Sequence, residues 1–423
     1  MSNPAASATP PVTAPDPSPP SFRLIEFITL FALLTSLTAL TIDAILPAFP
    51  AMAASFSVAD ATDLQLTISL MVLGMVFGEL AFGPLADAYG RKWAIVTGLL
   101  IFATGTLIAL FSQSMTMLLL GRLVQGMGVA GSKIGTRALI RDRFQGEAMA
   151  RIMSFVMMIL ILVPMLAPAL GQLVLWIAGW RAIFLMLLVL ALIAGAWLVV
   201  RQPETLTTER RLPIRPLPLA KTTLRILKHP QVMAYTIVAG LVFGCQVVYY
   251  SIAHSLFEDL YQAGARFPLY FAILAAGIGL ASLTNGALVM RLGMFRQTLT
   301  ALIGMMGISA SLAILAWLGE GKPSLPVFLL LGFWLFFGVG LLFGNINALA
   351  MQSLGQVAGL GSSIIASFSS LVAVGVSFAV GPLYNQTVYP LALAFFGAAA
   401  ISLVLVISVY GRDCGEVEPV RQA

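Results

Sequence analysis

The chain has 423 residues, 59% of them hydrophobic and 9% charged, with a formal net charge of +6. A soluble domain carries roughly a quarter charged residues, so this composition cannot clothe a water-facing surface and excludes an ordinary soluble protein. In a bilayer, backbone hydrogen bonds must close within the spanning segments, and runs of about 20 apolar residues point to helices as the spanning form.

Residues 1–21 are rich in Pro, Ala, Ser and Thr and lack the basic start and short apolar core of a leader, so a disordered cytoplasmic tail is expected there. Six apolar runs follow, near 24–46, 64–82, 93–111, 116–138, 152–175 and 182–200. The first carries Asp43 just before Leu46-Pro47-Ala48, the clearest carboxylate inside an apolar run and away from its start. Burial favours the neutral form of such a group and a nearby cation the charged form, which suits it to gain and lose a proton; alternatively Asp43 caps the helix before Pro47. Glu79 stands near the end of the second run and belongs either to the following loop or to the interior. That loop reads Gly83-Pro84-Leu85-Ala86-Asp87-Ala88-Tyr89-Gly90-Arg91-Lys92. Gly and Pro end one helix and permit a tight turn, while Asp87 can accept from a helix N-terminus or pair with Arg137 or Arg141.

The fourth run contains Gly121-Arg122-Leu123-Val124-Gln125-Gly126-Met127-Gly128. An arginine in a span needs an anionic or carbonyl partner facing the bundle interior. At 1.5 Å per residue, Asp43 and Arg122 fall at similar depth, so a pair is geometrically open. Lys133 lies on nearly the same helix face and is expected to line a cavity deeper down. In the fifth run, Pro164 and Pro168 remove helix hydrogen bonds and Gly171 allows close packing, together a candidate hinge.

A polar gap from Arg201 to Pro230 carries seven basic residues and several prolines. Six more apolar runs lie near 232–253, 268–290, 297–318, 326–350, 359–381 and 390–410. The seventh run bears a polar and aromatic stretch, Gln246, Tyr249 and Tyr250, of which Gln246 and Tyr249 are candidate substrate-cavity residues, with His254 at its outer end. Asn345, Asn347 and the stretch Ser362 to Ser370 are read mainly as helix–helix hydrogen-bonding groups. Placing the N-terminus in the cytoplasm leaves only Arg181, Arg266 and Lys322 of the loop cations on the opposite side, so both termini are expected inside. The basic surplus is thus a topology signal, not a nucleic-acid footprint. The halves echo each other: Gly83 and Gly90 recur with the same spacing as Gly286 and Gly293, and Gln246 falls where Asp43 stands in the first half. The implied domains are a tail (1–21), a six-helix half (22–200), a cytoplasmic connector (201–230), a second six-helix half (231–411) and a tail (412–423).

Cys245 and Cys414 suggest no bridge, and two histidines offer no metal-ligand spacing. The segment Gly126 to Lys133 has the wrong order for a phosphate loop and lies in a span. No cofactor, metal or nucleotide is expected, which disfavours an ATP-driven pump or a metalloenzyme.

The Gly83–Lys92 loop resembles the signature loop of the major facilitator superfamily, and Gly121–Gly128 looks like its arginine motif of proton-coupled members. Ala167-Pro168-Ala169-Leu170-Gly171 resembles the antiporter motif, with alanine replacing the usual first glycine. Asp43 with Leu46-Pro47-Ala48, Gln65-Leu66-Thr67, Arg137-Ala138-Leu139-Ile140-Arg141-Asp142, Gly179-Trp180-Arg181 and Gly355-Gln356-Val357-Ala358-Gly359 look closest to the bicyclomycin/chloramphenicol-resistance type. The resemblance implies twelve transmembrane helices in two pseudo-symmetric six-helix halves and proton-driven efflux of drugs or metabolites from a bacterial cytoplasm across the inner membrane. It also implies that Gly83, Asp87, Gly90, Arg91, Arg137 and Arg141 latch the cytoplasmic side. Protons, a small-molecule substrate and the bilayer are the expected partners, with the chain working as a monomer. A proton-coupled importer shares these features; a channel or a membrane enzyme fits the duplicated halves and paired charges less well.

Overall fold

The computed structural model describes residues 21–58, 61–143, 146–211, 214–354 and 358–410. In the first half, α1 (Ser21–Asp43) leads through a 3-10 turn (Leu46–Ala48) into the short α2 (Phe49–Phe56). There follow α3 (Ala61–Tyr89), α4 (Arg91–Leu110), α5 (Met115–Arg143), α6 (Gly146–Ala178) and α7 (Trp180–Arg201). A short α8 (Pro216–Lys228) precedes the second half, which comprises α9 (Pro230–Tyr261), α10 (Phe267–Leu292), α11 (Met294–Leu318), α12 (Leu325–Met351), α13 (Ala358–Val380) and α14 (Tyr389–Val409). Twelve of these helices are long, six on each side of α8, and the described residues contain no strand. Ten are apolar and long enough to cross a membrane by themselves. The other two are α5, whose apolar character is diluted by Arg122, Lys133 and Arg137, and α6, whose described apolar stretch is Leu162–Ala178.

The first apolar run ends sooner than its hydropathy implies, and the reason is Pro47. Its ring nitrogen cannot donate to the carbonyl of Asp43, four residues back, so α1 stops at Asp43 and the chain turns before α2 begins. The polar gap between the halves holds a helix the charge pattern hid: α8 starts at Pro216, a favoured first helical position, and has Arg225 and Lys228 in its last turn. Both tails lie almost wholly outside the described residues, as do Gly355, Gln356 and Val357 of the resemblance segment.

The glycine echo has a conformational basis in one pair. Gly90 (φ +119°) and Gly293 (φ +77°) each join two helices through a backbone conformation that a side chain would strain, between α3 and α4 and between α10 and α11. We call the end bearing these turns and α8 the connector end, and the end bearing the break after Asp43 the far end.

The halves meet where α3 packs on α13 and α6 on α10, with α9 also touching α3 and the turn after α1. The α3–α13 seam runs antiparallel from end to end. From the far end, a Cβ on Gly381 would meet Gln65 Oε1, Ser69 and Ser377 hydroxyls bond at 2.9 Å, Ser367 donates to the Val76 carbonyl at 2.8 Å, and a Cβ on Gly83 would meet Ser363 Oγ. Serine and glycine at these positions let two backbones approach closely and satisfy the hydroxyls across the seam.

Candidate functional site

Asp43 is the last residue of α1 and only 2% exposed. No hydrogen bond reaches its Oδ1. It makes no ion pair with Arg122, so the pairing that depth alone left open is not formed. Instead Arg122, fully buried, donates from Nη2 to the Thr41 carbonyl (3.0 Å), from Nε to the Thr67 carbonyl (3.2 Å) and from Nη1 to Gln125 Oε1 (2.5 Å), with Met71 sulfur beside it. The physical cause is the early end of α1. Its last carbonyls have no helical partner, and a guanidinium at a helix C-terminus satisfies one while complementing the dipole. Gln125 passes the network on to Thr106 Oγ1 at 2.9 Å, so Arg122 knits α1, α3, α4 and α5 together.

What faces Asp43 comes from the other half. Tyr249 and Tyr250 of α9 both lie within electrostatic range of its carboxyl. Tyr249 is buried between Phe271 (ring centroids 5.6 Å) and Phe336 (4.7 Å), and its hydroxyl has no partner. The Tyr250 hydroxyl bonds the Gln246 amide. Gln246, Tyr249 and Tyr250 are all buried, forming a closed polar cluster against the break in α1. His254, one turn on, packs edge-on against Phe267 at 5.1 Å.

A second polar cluster sits toward the connector end, and there Glu79 and Lys133 turn out to be partners. Glu79 is fully buried; Lys133 Nζ lies 2.6 Å from its Oε1, and Ser370 Oγ of α13 donates to its Oε2 at 2.9 Å. Glu79 therefore belongs to the interior and the seam, not to the loop. Asn345 reaches Asn285 (3.2 Å), which accepts from Gln297 (2.9 Å), and Ser369 donates to the Thr236 carbonyl (3.0 Å), all helix–helix bonds within the second half. Asn347 and Ser362 instead bond within their own turns.

The profile of the Major Facilitator Superfamily matches residues 31–377. The chain belongs to the major facilitator superfamily. It is 28% identical to an uncharacterized MFS-type transporter, YdgK, of Bacillus subtilis over 88% of this chain and 92% of that one. It is 27% identical to the bicyclomycin resistance protein homolog of Haemophilus influenzae, covering 92% of this chain and 96% of the relative. The fold matches the xylose transporter XylE from E. coli in a partially occluded inward-open conformation, with a TM-score of 0.71 over 93% of this chain and 98% of the other, at 13% identity. The chain is thus a multi-pass membrane transporter of small molecules, of a family of carriers and not of enzymes.

Gly83 and Pro84 do not end a helix as expected: α3 runs through both to Tyr89, Gly90 alone makes the turn into α4, and the charges pair differently from what the sequence suggests. Asp87 pairs with Arg91 at 2.5 Å, not with Arg137, and Arg91 reaches Asp142 at 2.9 Å. The side chain of Arg141 lies outside those described. The carboxylate that caps α4 is Glu204, past the end of α7, accepting from the backbone N–H groups of Arg91 (2.9 Å) and Lys92 (3.0 Å). A Cβ on Gly90 would lie 2.3 Å from Glu204 Oε2, so the glycine serves this cap as well as the turn. All these contacts lie within the first half and the start of the connector; at this end Gly83 against Ser363 joins the halves. In the antiporter-type motif, α6 runs unbroken through Pro164 and Pro168, and Gly171 brings its backbone onto Ala44, beside Asp43.

Sequence reasoning missed Glu204 and Ser370 as site partners. Ser370 carried a signal, its place in a serine-rich span; Glu204 carried none, since only the fold brings it to α4. Gln125 stood three residues after Arg122 on the same helix face, which the spacing could have revealed.

Proposed function

We propose that the chain is a proton-coupled exporter of drugs or small metabolites that works by alternating access in a bacterial inner membrane, with both termini in the cytoplasm. The observation that carries this is Asp43: a carboxyl buried at the end of α1, beside the turn that meets α9 of the other half, with one oxygen unbonded and no counter-ion in contact. Neutralising such a group on one side of the membrane and recharging it on the other costs no broken ion pair. The bicyclomycin resistance name of the Haemophilus relative supports export.

Arg122 supplies a fixed positive charge at the end of α1, and Gln246, Tyr249 and Lys133 line the substrate path. Gly83, Asp87, Gly90, Arg91 and Arg141 act at the cytoplasmic latch, and Pro164, Pro168 and Gly171 shape the helix that bears on Asp43. The test is transport of bicyclomycin and chloramphenicol in proteoliposomes with and without an imposed pH gradient. Wild-type protein drives uphill movement only with the gradient; Asp43→Asn loses this while keeping downhill exchange. Full gradient-driven accumulation by Asp43→Asn would remove Asp43 from the coupling step, and accumulation in the same direction as proton flow would make the chain an importer.

A further inference from the structure

The Glu79 cluster has more positive charge than its single carboxylate balances. Lys133 and Arg137 lie four residues apart on α5 and so share one face of that helix. Lys133 is paired with Glu79, and Arg137 feels the same carboxylate electrostatically without a hydrogen bond or ion pair among the described residues. Lys133 uses one ammonium hydrogen on Glu79 and remains 23% exposed. Arg137 is exposed to solvent, so its guanidinium is open to a ligand. Both oxygens of Glu79 are already engaged, by Lys133 and by Ser370. This face of α5 thus offers unused N–H donors on two cations, next to a carboxylate with little acceptor capacity left.

We propose that Lys133 and Arg137 form the subsite for an anionic group, a carboxylate or its equivalent, on the transported molecule, which makes the substrates organic anions. The position fits a substrate contact. Glu79 lies ten residues before the end of α3, about 15 Å from the connector end, and its Ser370 bond crosses the seam between the halves. A molecule held there bears on the surface along which the halves must part. Glu79 holds Lys133 in place and keeps the empty site from carrying two uncompensated cations. A bound carboxylate takes the remaining donors without displacing Glu79.

This subsite rests on the carrier reading above, and the experiment separates the two. Purified full-length protein in lipid nanodiscs is titrated with matched sets on phenyl, naphthyl and biphenyl cores, each as carboxylate, neutral amide and protonated amine. At least one core binds as the carboxylate about ten-fold or more tighter than as the amide, with the amine weakest. Arg137→Gln, at an exposed position, removes most of that preference and leaves amide affinity unchanged. The pair Glu79→Gln with Lys133→Gln does the same without stranding a buried carboxylate, and Lys133→Arg keeps the preference. Amide or amine binding as tight as carboxylate on every core, no carboxylate binding at all, or a preference that survives both variants would each overturn the subsite. Gradient-driven movement of an amide or amine without carboxylate preference would sink the anion site and leave the exporter standing. Carboxylate preference without pH-driven movement would do the reverse.

Discussion

Gly171→Ala tests whether α6 is fitted to the break beside Asp43. A Cβ built on Gly171 lies 1.9 Å from the Ala44 carbonyl oxygen and 2.7 Å from its carbon, where ordinary contact begins at 3.4 Å. The shortfall is 3.4 less 1.9, or 1.5 Å, and it falls on backbone, which cannot swing aside as a side chain can. Overpacking usually costs about 1–3 kcal/mol, and a backbone clash belongs at the upper end, about 3 kcal/mol. Part of the strain falls on Ala44, the neighbour of Asp43, so the far-end cluster shifts along with α6. The apparent melting temperature of the purified protein should fall by several degrees, on the order of 5 °C, and pH-driven transport should fall with it. Gly375→Ala is the control: a Cβ there meets nothing within 4 Å, and alanine in a helix interior is neutral or favourable by up to about 1 kcal/mol. Equal melting temperatures for Gly171→Ala and wild type would refute the close packing, whatever the transport result.

Arg122→Lys keeps the charge but cannot reach the Thr41 and Thr67 carbonyls and Gln125 together, so a loss of about 3 kcal/mol is expected; thermal melting that matches wild type would show the network to be dispensable. Glu204→Gln keeps the shape of the α4 cap but removes its charge, and should cost about 1 kcal/mol in thermal stability, with Glu204→Ala costing more; equal losses would mean the charge contributes nothing. Cysteines at Ser69 and Ser377 in a Cys414→Ser background place two thiols where hydroxyls now touch across the seam; an oxidant should arrest transport and a reductant restore it. Undiminished transport by the oxidised pair would mean the halves do not part at that end.

How much of this was legible follows from which interactions are local. The twelve long helices came from run length and hydropathy alone, because the bilayer makes the segment itself the unit of satisfaction. Gly90 and Gly293 were legible as paired turn signals, since a left-handed turn leaves its mark on one residue. The end of α1 was written in Pro47 but masked by the apolar residues beyond Asp43, and depth arithmetic then suggested an Asp43–Arg122 pair. The structure gives Arg122 to carbonyls instead, because an interrupted helix offers acceptors that a continuous one does not. Lys133 and Glu79 were each visible as an oddity in an apolar span, yet their pairing depends on how α3 turns against α5. Glu204 shows the limit most plainly: its role comes from α7 and α4 being neighbours, and no spacing along the chain encodes that.

The two buried carboxylates, Asp43 and Glu79, divide the work because their partners differ. Glu79 is held by the Lys133 ammonium at 2.6 Å and by the Ser370 hydroxyl across the seam at 2.9 Å. Asp43 has no cation in contact, so neutralising it breaks no ion pair. Its charged form, in contrast, holds an unbonded oxygen away from water, a cost of several kcal/mol unless a donor or solvent arrives. The nearby hydroxyl of Tyr249 is itself unpartnered and sits on the opposite half. A movement of α9 relative to the turn after α1 that brings this hydroxyl to the carboxyl would supply a hydrogen bond to Asp43, and its reversal would withdraw it, changing the cost of its charge as the halves rearrange. A coupling group needs that property. In the proposed exporter, Asp43, the carboxylate with no fixed counter-ion, is therefore the one assigned to the coupling step.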